Sequence, residues 1–219
     1  MGKEVRTSKG ITVVIVIAVF VYILTSSIAI PILCKPFYYS QIEGLQLEER
    51  SGYSREQIET AYSEVIDYCI GARSDFAVGG LHYSEAGKDH FADCRKLFIL
   101  DLRLLMASLV VLIGWLIIRR LTPFRCARLC KHGPGFWGGL AELVAFVIIA
   151  GLGSIDFDKT FVIFHSIFFP GKTNWIFNPN VDVVIRILPE QFFMRCAILI
   201  VAAIIIQSII FIIVDRRKA

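Results

Sequence analysis

The sequence predicts an all-α integral membrane protein with four transmembrane helices and two outward-facing, partly helical and amphipathic segments that form a cap at the outer interface. Three observations support this fold class. Of the 219 residues, 56% are hydrophobic, and the mean hydropathy is +0.65, as is typical of membrane proteins. Four apolar stretches are long enough to cross about 30 Å of hydrocarbon. Lys and Arg also cluster in only some of the connecting segments.

The predicted spans cover residues 11–30, 97–118, 136–155 and 192–214 of a single membrane domain, 1–219. The third span contains Glu142, and the fourth carries Arg195 near its start. A cleaved signal peptide is the alternative for the first span, but its apolar run is about twice as long as a usual signal core. We therefore expect the first span to be retained.

The placement of Lys and Arg predicts the orientation of the spans. The N-terminal tail, residues 119–135 and the C-terminus are rich in Lys and Arg. An even number of spans puts all three on one side, which the positive-inside rule assigns to the cytoplasm. Residues 31–96 and 156–191 then face outward. Because topology accounts for the net charge of +4, nothing indicates a nucleic-acid partner.

The first outer segment is predicted to contain one amphipathic helix and the start of another. Ser54 and Gln57 resemble a capping box, and apolar residues then repeat at helical spacing as far as residue 70. Ser84 can cap a second helix that continues into the second span. On that helix four residues share one face, because offsets of 3, 7 and 11 return within about 60° of the start. They are His90, Asp93, Leu97 and Asp101.

The second outer segment mixes aromatic and polar residues at the predicted membrane interface. An apolar stretch, 161–169, surrounds His165, and a Pro-Gly turn follows. Trp175 and Phe177 suit the interface. A short helix is expected at 182–188, after which Pro189 and Glu190 open the fourth span.

Two of the four histidines, His90 and His165, lie on outward segments that enter or border the membrane. His132 is expected in a cytoplasmic loop and His82 in a turn.

Two alternative kinds of site would use residues of these outward segments. Zinc would need three protein ligands, such as both histidines with Asp93 or Asp182, although no metal-binding spacing supports this. Ser166 is a conceivable nucleophile, but no G-x-S-x-G elbow frames it.

Two motifs resemble those of the bacterial lipoprotein intramolecular transacylase (Lit) family. HFADCRKLF, at 90–98, is similar to the family's H-x-x-D-V-K segment, with Cys94 where the family often has Val. FHSIFF, followed by WIFNP, Asp182 and PEQFF, resembles its second motif, FHxxFF with Trp, Pro, Asp and Pro-Glu-x-Phe-Phe. The resemblance covers about fifty residues in detail and the topology in outline. It implies a multi-pass protein of the bacterial cell membrane.

The resemblance also implies the reaction and its residues. Enzymes of the family move the sn-2 acyl chain of an S-diacylglyceryl cysteine to its α-amino group, so diacylglyceryl lipoproteins are the expected substrates and no cofactor or metal is needed. The catalytic residues are expected to be His90 and His165 at the outer leaflet. From their chemistry and position, and not from the resemblance, supporting roles are expected for Asp93, Asp182, Glu190 and Asp101, with Asp93 or Asp182 fixing a tautomer. The acyl chains and membrane lipid are expected to contact Phe168, Phe169, Trp175 and Phe177.

Two other classes of function stay open on sequence alone. A four-span thiol–quinone oxidoreductase needs an outward reactive Cys pair, and no outward C-x-x-C exists. A Cys69–Cys94 disulfide is neither required nor excluded. A non-enzymatic membrane adaptor would use the outer segments to bind a partner protein. The sequence does not define the oligomeric state.

Overall fold

The structure is a computed structural model that describes residues 6–153 and 156–217. The chain is mostly helical, as predicted. In chain order, the elements of the described residues are β1 Arg6–Ser8, α1 Lys9–Leu33, α2 Lys35–Tyr39, α3 Leu47–Ser51, α4 Arg55–Cys69, α5 Glu85–Leu121, β2 Phe124–Cys126, α6 Pro134–Gly153, α7 Phe157–Phe168, α8 Val184–Ile187 and α9 Glu190–Arg217.

Three of the described helices are long and apolar enough to cross a membrane, namely α1, α5 and α9. They contain the first, second and fourth predicted spans. Helix α6, Pro134–Gly153, covers most of the third, and its apolar stretch is described over Pro134–Ile149. The last two residues of that predicted span, 154 and 155, lie outside the described residues. The count of four spans therefore stays a prediction.

The chain divides into two compact units, and the three long helices contribute residues to both. The first unit comprises Met1–Ile28, Arg103–Leu152 and Ile200–Ala219. The second comprises Ala29–Leu102 and Gly153–Leu199. That residues 1–219 function as a single membrane domain stays a prediction.

In the first unit, helix α6 packs closely against α1 and α9 through two adjacent glycines. A Cβ atom on Gly138 would lie 2.7 Å from the Val19 side chain, and one on Gly139 would lie 2.8 Å from the Ser208 carbonyl oxygen. Larger side chains at these positions would force the helices apart. The short strands β1 and β2, which the sequence analysis did not predict, pair in parallel.

The second unit has a continuous apolar core built around α4. Its capping box is confirmed, because Ser54 and Gln57 exchange both expected hydrogen bonds. The Tyr38 ring stacks on Tyr62 with centroids 3.7 Å apart, and its hydroxyl donates to the Ile187 carbonyl oxygen over 2.6 Å. The short helix expected at 182–188 is only Val184–Ile187. Its first residues instead form a turn in which the Asp182 N–H donates to the Asn178 carbonyl oxygen.

Candidate active site

His90 lies near the start of α5, and the position of that start is fixed by a residue distant in sequence. Asp182 Oδ1 accepts hydrogen bonds from the Ser84 N–H at 2.8 Å and from the Ser84 hydroxyl at 2.7 Å. Ser84 in turn caps the helix by accepting from the Gly87 N–H. A Cβ on Gly87 would lie 2.6 Å from Asp182 Oδ1. The glycine therefore permits the close approach that anchors α5.

His165 lies in the last turn of α7, a helix capped by Asp156, whose side chain accepts from the Lys159 N–H. The His165 Nδ1 atom is 2.7 Å from the Phe161 carbonyl oxygen. Since a carbonyl can only accept, Nδ1 carries the proton and Nε2 keeps its lone pair. The Trp175 ring stacks on the imidazole with centroids 4.5 Å apart. Backbone and indole together fix the tautomer and the orientation of this ring.

The fold brings the two histidines together from α5 and α7. Their ring centroids are 5.7 Å apart, at an interplanar angle of 33°, and each residue is 6% exposed. The Phe169 ring contacts both, with its centroid 5.0 Å from His90 and 5.7 Å from His165. Phe177 covers another side of His90 at 5.5 Å. The pair thus forms one small, aromatic-walled site.

Burial sets the proton affinity of His165. Desolvation lowers the pKa of this imidazole below its usual value, and the hydrogen bond to the Phe161 carbonyl opposes that shift only in part. The neutral base is therefore the main form at neutral pH.

His90 differs from His165 in its hydrogen bonding. Its Nε2 atom is 3.4 Å from the Cys94 sulfur, whereas its buried Nδ1 atom has no hydrogen-bond partner among the described residues. A thiol that donates to Nε2 would leave the proton on Nδ1. One N–H donor would then be available inside the site.

Asp93, one helical turn after His90, is 8% exposed and belongs to a small charged cluster. Its carboxylate pairs with Lys172, with Lys96 at 3.0 Å and with the Asn174 amide at 3.4 Å. Neither this carboxylate nor that of Asp182 hydrogen-bonds a histidine in the described part of the chain. At His165 the Phe161 carbonyl holds the Nδ1 proton instead, and the supporting role of the two carboxylates stays a prediction.

A cleft of about 190 Å³ opens beside the histidines. It is lined by Asp93, Lys96, Leu97, Phe168, Phe169, Pro170 and Lys172. Phe169 lines this cleft and its ring also contacts both imidazoles. The cleft has an apolar wall and a charged rim, which suits an amphiphilic ligand with an oxygen-bearing polar group.

The remaining predicted site residues lie outside this cluster. Asp101 is half-buried, with its Oδ2 atom unpartnered among the described residues. Glu190 is exposed at the first residue of α9, and the exposed Ser166 hydroxyl donates to its own helix.

All six cysteines are free, so Cys69 and Cys94 are not bonded. Among the described residues no group of three His, Cys, Asp or Glu side chains is arranged to hold a metal ion.

Lys172 and Asn174, which contact Asp93, were not among the predicted site residues. Both follow the predicted Pro-Gly turn, but their partner Asp93 precedes Lys172 by 79 residues. No local pattern links positions so far apart. Charged and amide side chains in an otherwise aromatic segment were the only available signal.

The fold agrees with that of the membrane integral lipoprotein intramolecular transacylase Lit from Bacillus cereus. The TM-score is 0.82 at 22% identity, covering 95% of this chain and 97% of that one. A second structure of that protein, with one histidine replaced by alanine, gives 0.77 at 22% identity over 94% and 91% of the two chains. None of the curated protein sequences matches the chain.

The motifs at 90–98 and 164–193 lie in a region that also matches a family model. The model of the lipoprotein intramolecular transacylase Lit matches residues 13–193, which is most of the 219-residue chain. Together with the helices long enough to cross a membrane, this gives a multi-pass membrane protein. The chain belongs to the lipoprotein intramolecular transacylase (Lit) family.

Proposed function

We propose that this protein moves the sn-2 acyl chain of an S-diacylglyceryl cysteine to the α-amino group of the same cysteine, producing a lyso-form lipoprotein. Family membership supports the reaction class. The observation that carries the proposal is the buried pair His90 and His165, with ring centroids 5.7 Å apart beside an amphiphilic cleft. Such a pair can move protons without help from a metal or a covalent intermediate.

The bond changes balance without water, ATP or a second substrate. The amine nitrogen attacks the ester carbonyl carbon and loses a proton, giving a tetrahedral oxyanion. The bond between the acyl carbon and the sn-2 oxygen then breaks, and that oxygen remains bonded to the glycerol carbon. The released oxygen takes up the proton and becomes a hydroxyl. Because both groups belong to one molecule, holding it in a reactive conformation replaces a second binding event.

We assign the base to His165 and a donor role to His90. His165 Nε2 keeps a lone pair because Nδ1 is bound to the Phe161 carbonyl. It can take the amine proton and return it to the departing oxygen. His90 Nδ1, buried and without a partner among the described residues, can donate to the oxyanion. Asp93, Asp182, Asp101 and Glu190 would act outside this proton path.

The proposed setting is the outer leaflet of a bacterial cell membrane, with four spans, both termini in the cytoplasm and residues 31–96 and 156–191 as the cap. The rings of Phe169 and Phe177 both contact the His90 imidazole. Phe168 is 48% exposed and lines the cleft, so it suits contact with an acyl chain or membrane lipid. Trp175 orients His165 as well as facing the interface.

The reaction is tested by incubating purified protein with a diacylglyceryl lipopeptide that has a free amine. We expect a product of unchanged mass, in which fragmentation finds one acyl chain as an amide on the N-terminal fragment. Prior acetylation of the amine should stop the reaction, and mixed isotopically labelled substrates should give no crossed product. A product heavier by one chain would mean transfer from phospholipid, and a lighter one would mean a lipase; both would overturn the proposal.

The orientation is tested with single-cysteine variants and a membrane-impermeant thiol reagent. Ser74 is exposed in the second unit, and Cys130 is exposed in the first. In a background without other cysteines, Ser74→Cys should react in intact cells. Cys130 should react only after permeabilisation. The opposite pattern would put the histidines on the cytoplasmic side.

A further inference from the structure

The ammonium group of Lys172 is held in place more firmly than is usual for a surface lysine. It pairs with Asp93 Oδ2, and Asp93 is only 8% exposed. The other Asp93 oxygen pairs with Lys96, so removal of either lysine leaves the carboxylate with a cationic partner. Lys172 itself retains two further N–H donors, for which the described residues offer no acceptor.

The backbone of Lys172 is tied to the histidines as well. Its carbonyl oxygen accepts a hydrogen bond from the Trp175 indole N–H over 3.0 Å, and the same indole stacks on His165. On α5, Asp93 follows His90 by three residues and so faces nearly the same way. The lysine is thus fixed relative to both imidazoles, from two sides.

The cleft lined by Lys172 combines apolar surface with a cationic hydrogen-bond donor, which are the two features an ester-binding site needs. Leu97, Phe168 and Pro170 supply apolar surface, and Phe169 joins the cleft to the histidines. The positive charge of Lys172 acts electrostatically on His90. The Lys172 side chain is 46% exposed, and a cation held in place by an ion pair stabilises developing negative charge better than a mobile cation in water.

We infer that the Lys172 ammonium donates a hydrogen bond to the carbonyl oxygen of the acyl ester and stabilises the oxyanion of the transfer, with Asp93 as the residue that positions it. This inference rests on the proposed function and names a further catalytic residue for it. The donated hydrogen bond strengthens as the carbonyl oxygen gains charge, so it favours the transition state over the bound substrate. No covalent bond to Lys172 forms.

The test is Lys172→Met, with Lys172→Arg and Lys88→Met as matched variants. Lys172→Met removes the donors and the charge, and we expect kcat to fall about 10²-fold with little change in KM. Lys172→Arg should restore most of the rate. Lys88 pairs with the exposed Glu85 at 3.2 Å on the same helix and does not line the cleft. Lys88→Met should therefore stay within about fivefold of the wild type.

Thermal unfolding of the purified variants distinguishes chemistry from structure. Equal midpoints with a lost kcat support the inference. A turnover of Lys172→Met equal to that of the wild type overturns it and leaves the proposed function standing. A loss that tracks the unfolding midpoint means a structural ion pair only and overturns the inference, and so does a kcat loss in Lys172→Arg as large as that in Lys172→Met, since arginine keeps the charge and the donors. A wild-type protein that does not isomerise the lipopeptide removes the proposed function and this inference together.

Discussion

The two units of the molecule each bury a carboxyl group, and the surroundings of the two groups are opposite. In the second unit, Asp93 is bound by Lys172, Lys96 and Asn174. In the first unit, Glu142 is fully buried on α6, and both its oxygens lack a hydrogen-bond partner within the described residues. An unpaired buried charge is costly, whereas a paired one can be held in a defined geometry.

This difference teaches that burial of an acidic group does not by itself mark an active site. The Asp93 cluster joins a helix to a loop and lies beside two imidazoles and a cleft. Glu142 lies on α6 in the first unit, one turn after Gly138 and Gly139, the two glycines that approach α1 and α9 closely. We therefore expect the chemistry to depend on the second unit, and the effects of substitution to follow the same division.

The largest effect is expected from the histidines themselves. His165→Ala and His90→Ala should each lower turnover of the lipopeptide by about 10²–10⁴-fold, because the first removes the proton-transfer base and the second removes the donor to the oxyanion. His132→Ala is the control, since that ring stacks on Phe136 in the first unit. The measurement is the initial rate at matched protein levels. Near-normal turnover in either of the first two variants would end its assigned role.

The two buried carboxyl groups can be compared directly with isosteric substitutions. Asp93→Asn should lower kcat by about 10- to 10²-fold, because a neutral amide holds Lys172 less firmly. Glu142→Gln should leave kcat unchanged and give an equal or higher unfolding midpoint, because no charge can then be buried. A large loss of activity in Glu142→Gln with an intact fold would make the first unit part of the chemistry.

Asp182 should influence stability more than the chemical step. Asp182→Ala removes the acceptor for both Ser84 groups, and should lower the free energy of unfolding by about 1–3 kcal/mol. Reversible unfolding of the purified protein in detergent measures this loss. At a temperature where both proteins remain folded, kcat should fall less than in Asp93→Asn. The reverse order would place Asp182 in the proton path.

The smallest expected effect is a pH shift at His165. Burial lowers its pKa below the usual 6.5, so the neutral base persists at pH 6.5 and becomes protonated only at lower pH. Since unfolding would return the pKa to its higher value, protonation also favours the unfolded chain as the pH falls below 6.5. Nitrogen NMR of labelled imidazole, with His165→Ala to assign the signal, should show a proton on Nδ1 and titration below 6.5. Titration above 6.5 would contradict the described burial.

The sequence was most informative where the signal was local. Hydropathy indicated the three long helices, Ser54 and Gln57 indicated the start of α4, and Ser84 indicated the start of α5. The outward placement of His90 and His165 beside the membrane made them a candidate pair, and the motif resemblance implied their catalytic role. The family match supports that resemblance, while the catalytic roles stay predictions.

By itself, then, the sequence determined the membrane class, the main helices and the two histidine-bearing segments, because periodicity, capping and hydropathy act between near neighbours in the chain. Only the tertiary structure decided which side chains meet. It joined Asp93 to Lys172 across 79 residues and Asp182 to Ser84 across 98. It also assigned the His165 tautomer to a backbone carbonyl instead of a carboxylate. Such contacts depend on how distant segments pack, and no local pattern encodes that packing.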